Sequence, residues 1–124
     1  MIALPSLAGH RVLVVEDEQL IGLMLADVLE EFGSAVLGPV ATVSEAIDLV
    51  DSGEVTAALL DLSLRGETVY PVADRLAEQD IPFVFITGYS RGALVPRHAG
   101  AALLTKPFGP RQLADMVTEQ GWSR

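Results

Sequence analysis

The chain has 124 residues, half of them apolar, eight basic and 17 acidic, for a formal net charge of −9, and it has no cysteine. That length and apolar content suit one domain with a real core and argue against disorder. The charge excludes the clustered Lys and Arg that sequence-independent nucleic-acid binding needs, and the lack of Cys excludes disulfides, thiolate metal sites and cysteine nucleophiles.

Met1 to Gly9 lack a charged start and are too short for a signal peptide, and no apolar run is long enough to cross a bilayer. The expectation is a soluble cytoplasmic domain with no membrane and no nucleic-acid partner. The first strand is Val12-Leu13-Val14-Val15, which runs into Glu16-Asp17-Glu18. A helix follows from about Gln19 to Phe32, with Ile21, Met24, Leu25, Val28 and Phe32 at helical spacing and Gly33 as its stop. The second strand, Ala35 to Ala41, contains Pro39, which cannot donate to a ladder and so belongs on an edge. Thr42 and Glu45 have the spacing of a capping box at the start of the second helix, and Gly53 lies past its end.

Ala57-Ala58-Leu59-Leu60 is the third strand and ends on Asp61. Gly66 permits a turn, and a third helix is expected from Thr68 to Gln79 with Pro71 tolerated in its first turn. Pro82-Phe83-Val84-Phe85-Ile86 runs into Thr87. From Gly88 to Gly100 three glycines and a proline interrupt the pattern, so the fourth helix is expected to be short or absent. Ala101-Ala102-Leu103-Leu104 leads across Thr105 to Lys106, and the last helix opens at Pro110 and ends at Gly121. His10 and His98 have no helical partners and read as solvated.

Strands alternating with helices imply an α/β fold with right-handed crossovers. The expected architecture is a flavodoxin-like, doubly wound, five-stranded parallel sheet of order 2-1-3-4-5, which puts the Pro39 strand on an edge. The carboxyl ends of its strands then collect Glu16, Asp17, Asp61, Thr87 and Lys106 on one edge, where open α/β sheets bind ligands. Singly, each has an ordinary explanation: acids suit helix starts, and an Asp after a strand is commonly a turn residue. Together, carboxylates within about 5 Å repel by roughly 3 kcal/mol per pair, a cost a cation offsets. Oxygen ligands without His or Cys point to Mg²⁺.

Val12-Leu13-Val14-Val15-Glu16-Asp17-Glu18, Leu60-Asp61-Leu62, Ile86-Thr87-Gly88 and Lys106-Pro107-Phe108, in this order and spacing, resemble the receiver domains of bacterial two-component response regulators. The resemblance covers about His10 to Gln120. It implies Asp61 as phosphoacceptor, Asp17 as a direct Mg²⁺ ligand with Glu16 helping through water, and the backbone carbonyl of Ser63 as a further ligand. Thr87 is implied as the hydroxyl that reports phosphorylation and Lys106 as the partner of the phosphoryl oxygens. Pro82-Phe83-Val84-Phe85-Ile86-Thr87-Gly88-Tyr89 resembles the FAT GUY group of single-domain regulators, with Ile86 in place of its Ala.

The chain departs from many receivers in having Leu103 where they carry a switch aromatic, and Glu16 where Asp is commoner. Tyr89 is the alternative aromatic mover. The implied function is a phosphorylation-dependent switch over 1–124, with a core of about 10–120 and no output domain. It takes its phosphoryl group from a sensor histidine kinase or a phosphotransfer protein and acts on a downstream protein or in a phosphorelay. The competing reading is a Mg²⁺-dependent phosphohydrolase with Asp61 as nucleophile. Such enzymes of the haloacid dehalogenase type place a second Asp two residues on, where this chain has Ser63.

Overall fold

The computed structural model describes residues 4–88 and 94–123. Five parallel strands form the central sheet: β1 (Arg11–Val15), β2 (Ala35–Val40), β3 (Ala57–Asp61), β6 (Phe83–Thr87) and β7 (Ala102–Thr105), in the order β2-β1-β3-β6-β7. This is the flavodoxin-like order expected from the sequence, with the Pro39 strand on an edge. Two short strands after β3, β4 (Ser63–Leu64) and β5 (Glu67–Thr68), pair antiparallel as a separate hairpin.

Each central strand alternates its side chains between two cores, as a period of two requires. Val12, Val14, Leu59, Val84 and Ile86 face α1 (Gln19–Glu31) and α4 (Pro110–Glu119), meeting Leu25, Leu29, Leu113 and Val117. Leu13, Val15, Ala58, Leu60 and Phe85 face α2 (Val43–Asp51) and α3 (Tyr70–Glu78), meeting Val50, Val72 and Leu76. Burying each Leu or Val of this kind contributes roughly 1.5–3 kcal/mol, so the strand ends are held by a core on both faces.

Local chemistry sets the helix limits. Thr42 caps α2 by accepting from the Glu45 amide at 3.2 Å and donating to the Glu45 carboxylate at 2.9 Å. Gly33 closes the end of α1 with φ +97°, a conformation that suits glycine. Gly22 lets α1 lie on the edge strand, because a Cβ there would stand 2.9 Å from the ring of Pro39.

Three expectations change. The third helix begins at Tyr70 rather than Thr68, because Glu67 and Thr68 are taken up in the hairpin. His98 is not solvated: its ring is buried, stacks on Tyr70 at 5.8 Å, meets Phe83 and Phe85 edge-on, and lies 2.7 Å from Asp74. His10 is also engaged, with Nδ1 2.9 Å from Thr56 Oγ1 and Nε2 3.1 Å from the Trp122 carbonyl. Among the described residues the β6–β7 connection holds one 3₁₀ turn, Pro96–His98, and Tyr89 lies outside them. No helix among the described residues is long and apolar enough to cross a membrane.

Candidate functional site

The carboxyl ends of β1, β3, β6 and β7 converge as their sequence positions require. Asp61 closes β3 and pairs in register with Ile86, while Thr87 closes β6 opposite Thr105. The chain leaving β7 stays against β6, since the Lys106 amide donates to the Thr87 carbonyl at 2.8 Å. On the other side, the Glu16 amide donates to the Val40 carbonyl at 2.9 Å, tying the acidic loop to the edge strand.

One oxygen each from Glu16, Asp17 and Asp61 lies within 4.8 Å of the others. Glu16 and Asp61 are buried, at 3 % exposure each, and Asp17 is half-buried. The ammonium of Lys106 stands 3.4 Å from Asp61 Oδ2, 3.4 Å from Glu16 Oε2 and 3.8 Å from Glu18 Oε1. One cation therefore faces several carboxylates. Burial, reinforced by the neighbouring Asp61 carboxylate, pushes Glu16 up to about 7. Partial burial draws Lys106 down, but the Asp61, Glu16 and Glu18 carboxylates outweigh it and hold the ammonium above its ordinary range.

Backbone donors orient the acids. The Glu18 amide donates to Glu16 Oε1 at 3.1 Å, the Ser63 amide to Asp61 Oδ1 at 3.2 Å, and the Arg65 amide to Asp17 Oδ2 at 2.9 Å. Glu16 Oε2 is buried and makes no hydrogen bond, with the Lys106 ammonium 3.4 Å away. An orphaned buried carboxylate oxygen beside two further carboxylates is a donor set for a hard divalent cation: all oxygen, net negative and already gathered. The acids fit Mg²⁺ on these grounds.

Beside the acids is an open pocket of about 390 Å³, lined by Glu18, Asp61, Ser63, Thr87, Gly88 and Lys106. Its lining brings together the phosphoacceptor candidate Asp61, the hydroxyl residue Thr87 and the ammonium residue Lys106. Glu16, Asp17, Asp61, Thr87 and Lys106 are thus all brought to one site, and Ser63, exposed at the start of β4, lines it. Leu103 is a half-buried strand residue packed with the α2–α3 core, so no aromatic occupies that position.

Sequence reasoning missed three contributors. Glu18 reaches the lysine as well as starting the helix. Arg65 reaches Asp17 through both its amide, at 2.9 Å, and its guanidinium, at 3.8 Å, contacts for which the turn signal at Gly66 was the only available hint. Tyr70 packs edge-on against Phe85 at 5.8 Å and accepts a hydrogen bond from the Val95 amide at 3.1 Å, which ties the β6–β7 connection to α3.

A family model described as the response regulator receiver domain matches residues 12–118. The transcriptional regulatory protein PdtaR of Mycobacterium tuberculosis is 35 % identical over 112 residues, 87 % of this chain and 53 % of that protein. The chain spans about half the length of the curated relatives it matches. The solution structure of SdrG from Sphingomonas melonis Fr1 is 42 % identical with a TM-score of 0.79, covering 91 % of this chain and 96 % of that one. A solution structure of SdrG in its BeF3-activated conformation is 41 % identical with a TM-score of 0.77, covering 91 % and 97 %.

Proposed function

The chain belongs to the response regulator receiver domain family, and from that premise we propose that it works as a phosphorylation-dependent signalling switch with Asp61 as the phosphoacceptor. The family is one of signalling domains rather than of classical enzymes, and the phosphohydrolase reading is not favoured. The observation that carries the assignment is the position of Asp61, buried at a strand end with an ammonium at 3.4 Å and two further carboxylates gathered beside it.

In the proposed reaction an oxygen of Asp61 forms a bond to phosphorus while the phosphorus–nitrogen bond of a phosphohistidine breaks. The histidine ring leaves with the electron pair and takes a proton from solvent. Glu16, Asp17 and Asp61, with the Ser63 carbonyl, would hold Mg²⁺. When bound, it supplies positive charge against the acids and the phosphoryl oxygens. Lys106 pairs with the same oxygens from the β7 side, and the backbone amide on Asp61 Oδ1 holds the carboxylate in its orientation. The chain's own residues thereby assist their own phosphorylation and its reversal.

Once formed, the acyl phosphate adds charge and acceptor oxygens next to Thr87 in the same pocket. Thr87 is the residue placed to turn toward it and pull on the chain that follows β6. Tyr89, two residues further on, is the aromatic proposed to move with it, since Leu103 offers no hydroxyl.

In this reading the chain works in the cytoplasm, and its partners are a sensor histidine kinase or phosphotransfer protein and a downstream protein that prefers one state. The proposed unit of this switch is the receiver domain that residues 12–118 match. Incubating the chain with Mg²⁺ and a small phosphodonor and weighing it intact should show one added phosphoryl group. The adduct should be absent from Asp61→Asn and after chelation. An equal adduct on Asp61→Asn overturns the assignment.

A further inference from the structure

We propose that the β4–β5 hairpin is a strap that positions Asp17 for the cation, and that Glu67 is the residue that holds the strap down. This rests on the reading of the acids as a cation site.

Two paired strands of two residues are not stable by themselves, so the hairpin takes its place from its tethers. Below, Leu64 and Val69 are buried in the α2–α3 core. Above, three hydrogen bonds fasten it, and the Arg65 guanidinium adds an ion pair with Asp17 at 3.8 Å. The Ser63 amide is on Asp61, the Arg65 amide is on Asp17 Oδ2, and Glu67 Oε2 accepts from the Val43 amide at 3.0 Å. The turn between the strands is Arg65-Gly66, with Gly66 at φ +74°. This geometry aims the Arg65 amide at Asp17 across 48 residues of sequence.

The Glu67 contact answers a specific need. Val43 is the first residue of α2, and its amide is one of the donors that a helix start leaves without an intrahelical partner. Thr42 caps the amide of Glu45, not that of Val43. Glu67 supplies the missing acceptor, and a carboxylate at a helix N-terminus is also favoured by the dipole. The hairpin thus links the first turn of α2 to the carboxylate of Asp17.

The strap is compatible with a cation, because with it in place one Asp17 oxygen still lies within 4.8 Å of Glu16 and Asp61 oxygens. It fixes the carboxylate before the cation arrives, so less side-chain freedom is lost on binding. Coupling of this kind is reciprocal. Cation binding should tighten the hairpin, and the first turn of α2 should sense whether the site is loaded.

The test is Mg²⁺ titration of the full chain by calorimetry, with hydrogen exchange read at the Arg65 and Val43 amides. Glu67→Ala should raise the Mg²⁺ dissociation constant about 3-fold to 10-fold. Glu67→Gln keeps an acceptor oxygen and should restore it to within about 2-fold of wild type. Mg²⁺ should slow exchange at both amides in wild type and lose its effect on Val43 in Glu67→Ala. A merely structural Glu67 would lower the Tm of Glu67→Ala without moving the dissociation constant, and that result overturns the strap. So does Glu67→Gln binding as weakly as Glu67→Ala. A folded wild type that binds no Mg²⁺ overturns the cation reading itself and the strap with it, an outcome distinct from the other two.

Discussion

Two acid clusters in this chain use the same residue types to opposite ends. On α3, Asp74 meets a matched set: the Arg97 guanidinium grips both its oxygens at 2.9 and 3.0 Å, and His98 Nε2 lies 2.7 Å away. Arg97, then His98, holds the Asp74 carboxyl below its usual range despite the opposing effect of burial. At the sheet edge, Glu16 and Asp61 share the Lys106 ammonium, Asp17 faces the exposed Arg65 guanidinium at 3.8 Å, and burial pushes Glu16 up to about 7. A balanced cluster has nothing left to bind and serves to fasten the β6–β7 connection to α3. An unbalanced one costs stability until something positive arrives, and that imbalance marks it as the candidate functional site.

The largest test of this contrast is Lys106→Met. It removes the ammonium that faces Glu16 and Asp61 and should slow phosphorylation about 100-fold, measured as adduct formed against time. The next is Glu16→Gln. It should stabilise the metal-free protein above neutral pH by about 1–3 kcal/mol in urea melts followed at Trp122, while weakening Mg²⁺ binding.

The pH dependence follows from the same residue. Because the folded value for Glu16 is raised from 4.5 to about 7, the folded chain holds that proton more tightly than the unfolded chain does. The contribution to stability is fully present below about 4.5 and is lost as pH rises through about 7. Metal-free wild type should show this falling slope and Glu16→Gln should not. A flat wild-type profile would erase the contrast.

The smallest effect is expected for Asp74→Asn. Losing a half-exposed pair should lower the Tm by a few degrees and leave the rate of phosphorylation unchanged. A large drop in that rate would show that the α3 cluster belongs to the site after all.

Strand order and site were legible because each rests on strong local signals. Four apolar runs carried the central strands, Pro39 put one strand on an edge, and the reactive groups sat at or just past the ends of those runs. The hairpin was not legible, because Ser63–Leu64 and Glu67–Thr68 are too short to show a period of two. His98 was misread because its surroundings, Tyr70, Asp74, Phe83 and Phe85, come from α3 and β6 and are assembled only by the fold. The imbalance of charge was visible in outline, but the orphaned oxygen of Glu16 depends on burial that no local pattern reports.

The most direct test of the central claim is to locate the phosphoryl group. An acyl phosphate on a carboxylate is reduced by borohydride to an alcohol, so an aspartyl phosphate becomes homoserine at the phosphorylated position. After phosphorylation with Mg²⁺ and a small donor, reduction and peptide mapping should find homoserine at position 61 alone. Homoserine at position 17, a reduced glutamyl group at position 16, or an adduct on a histidine that survives the alkali that cleaves acyl phosphates would contradict the account.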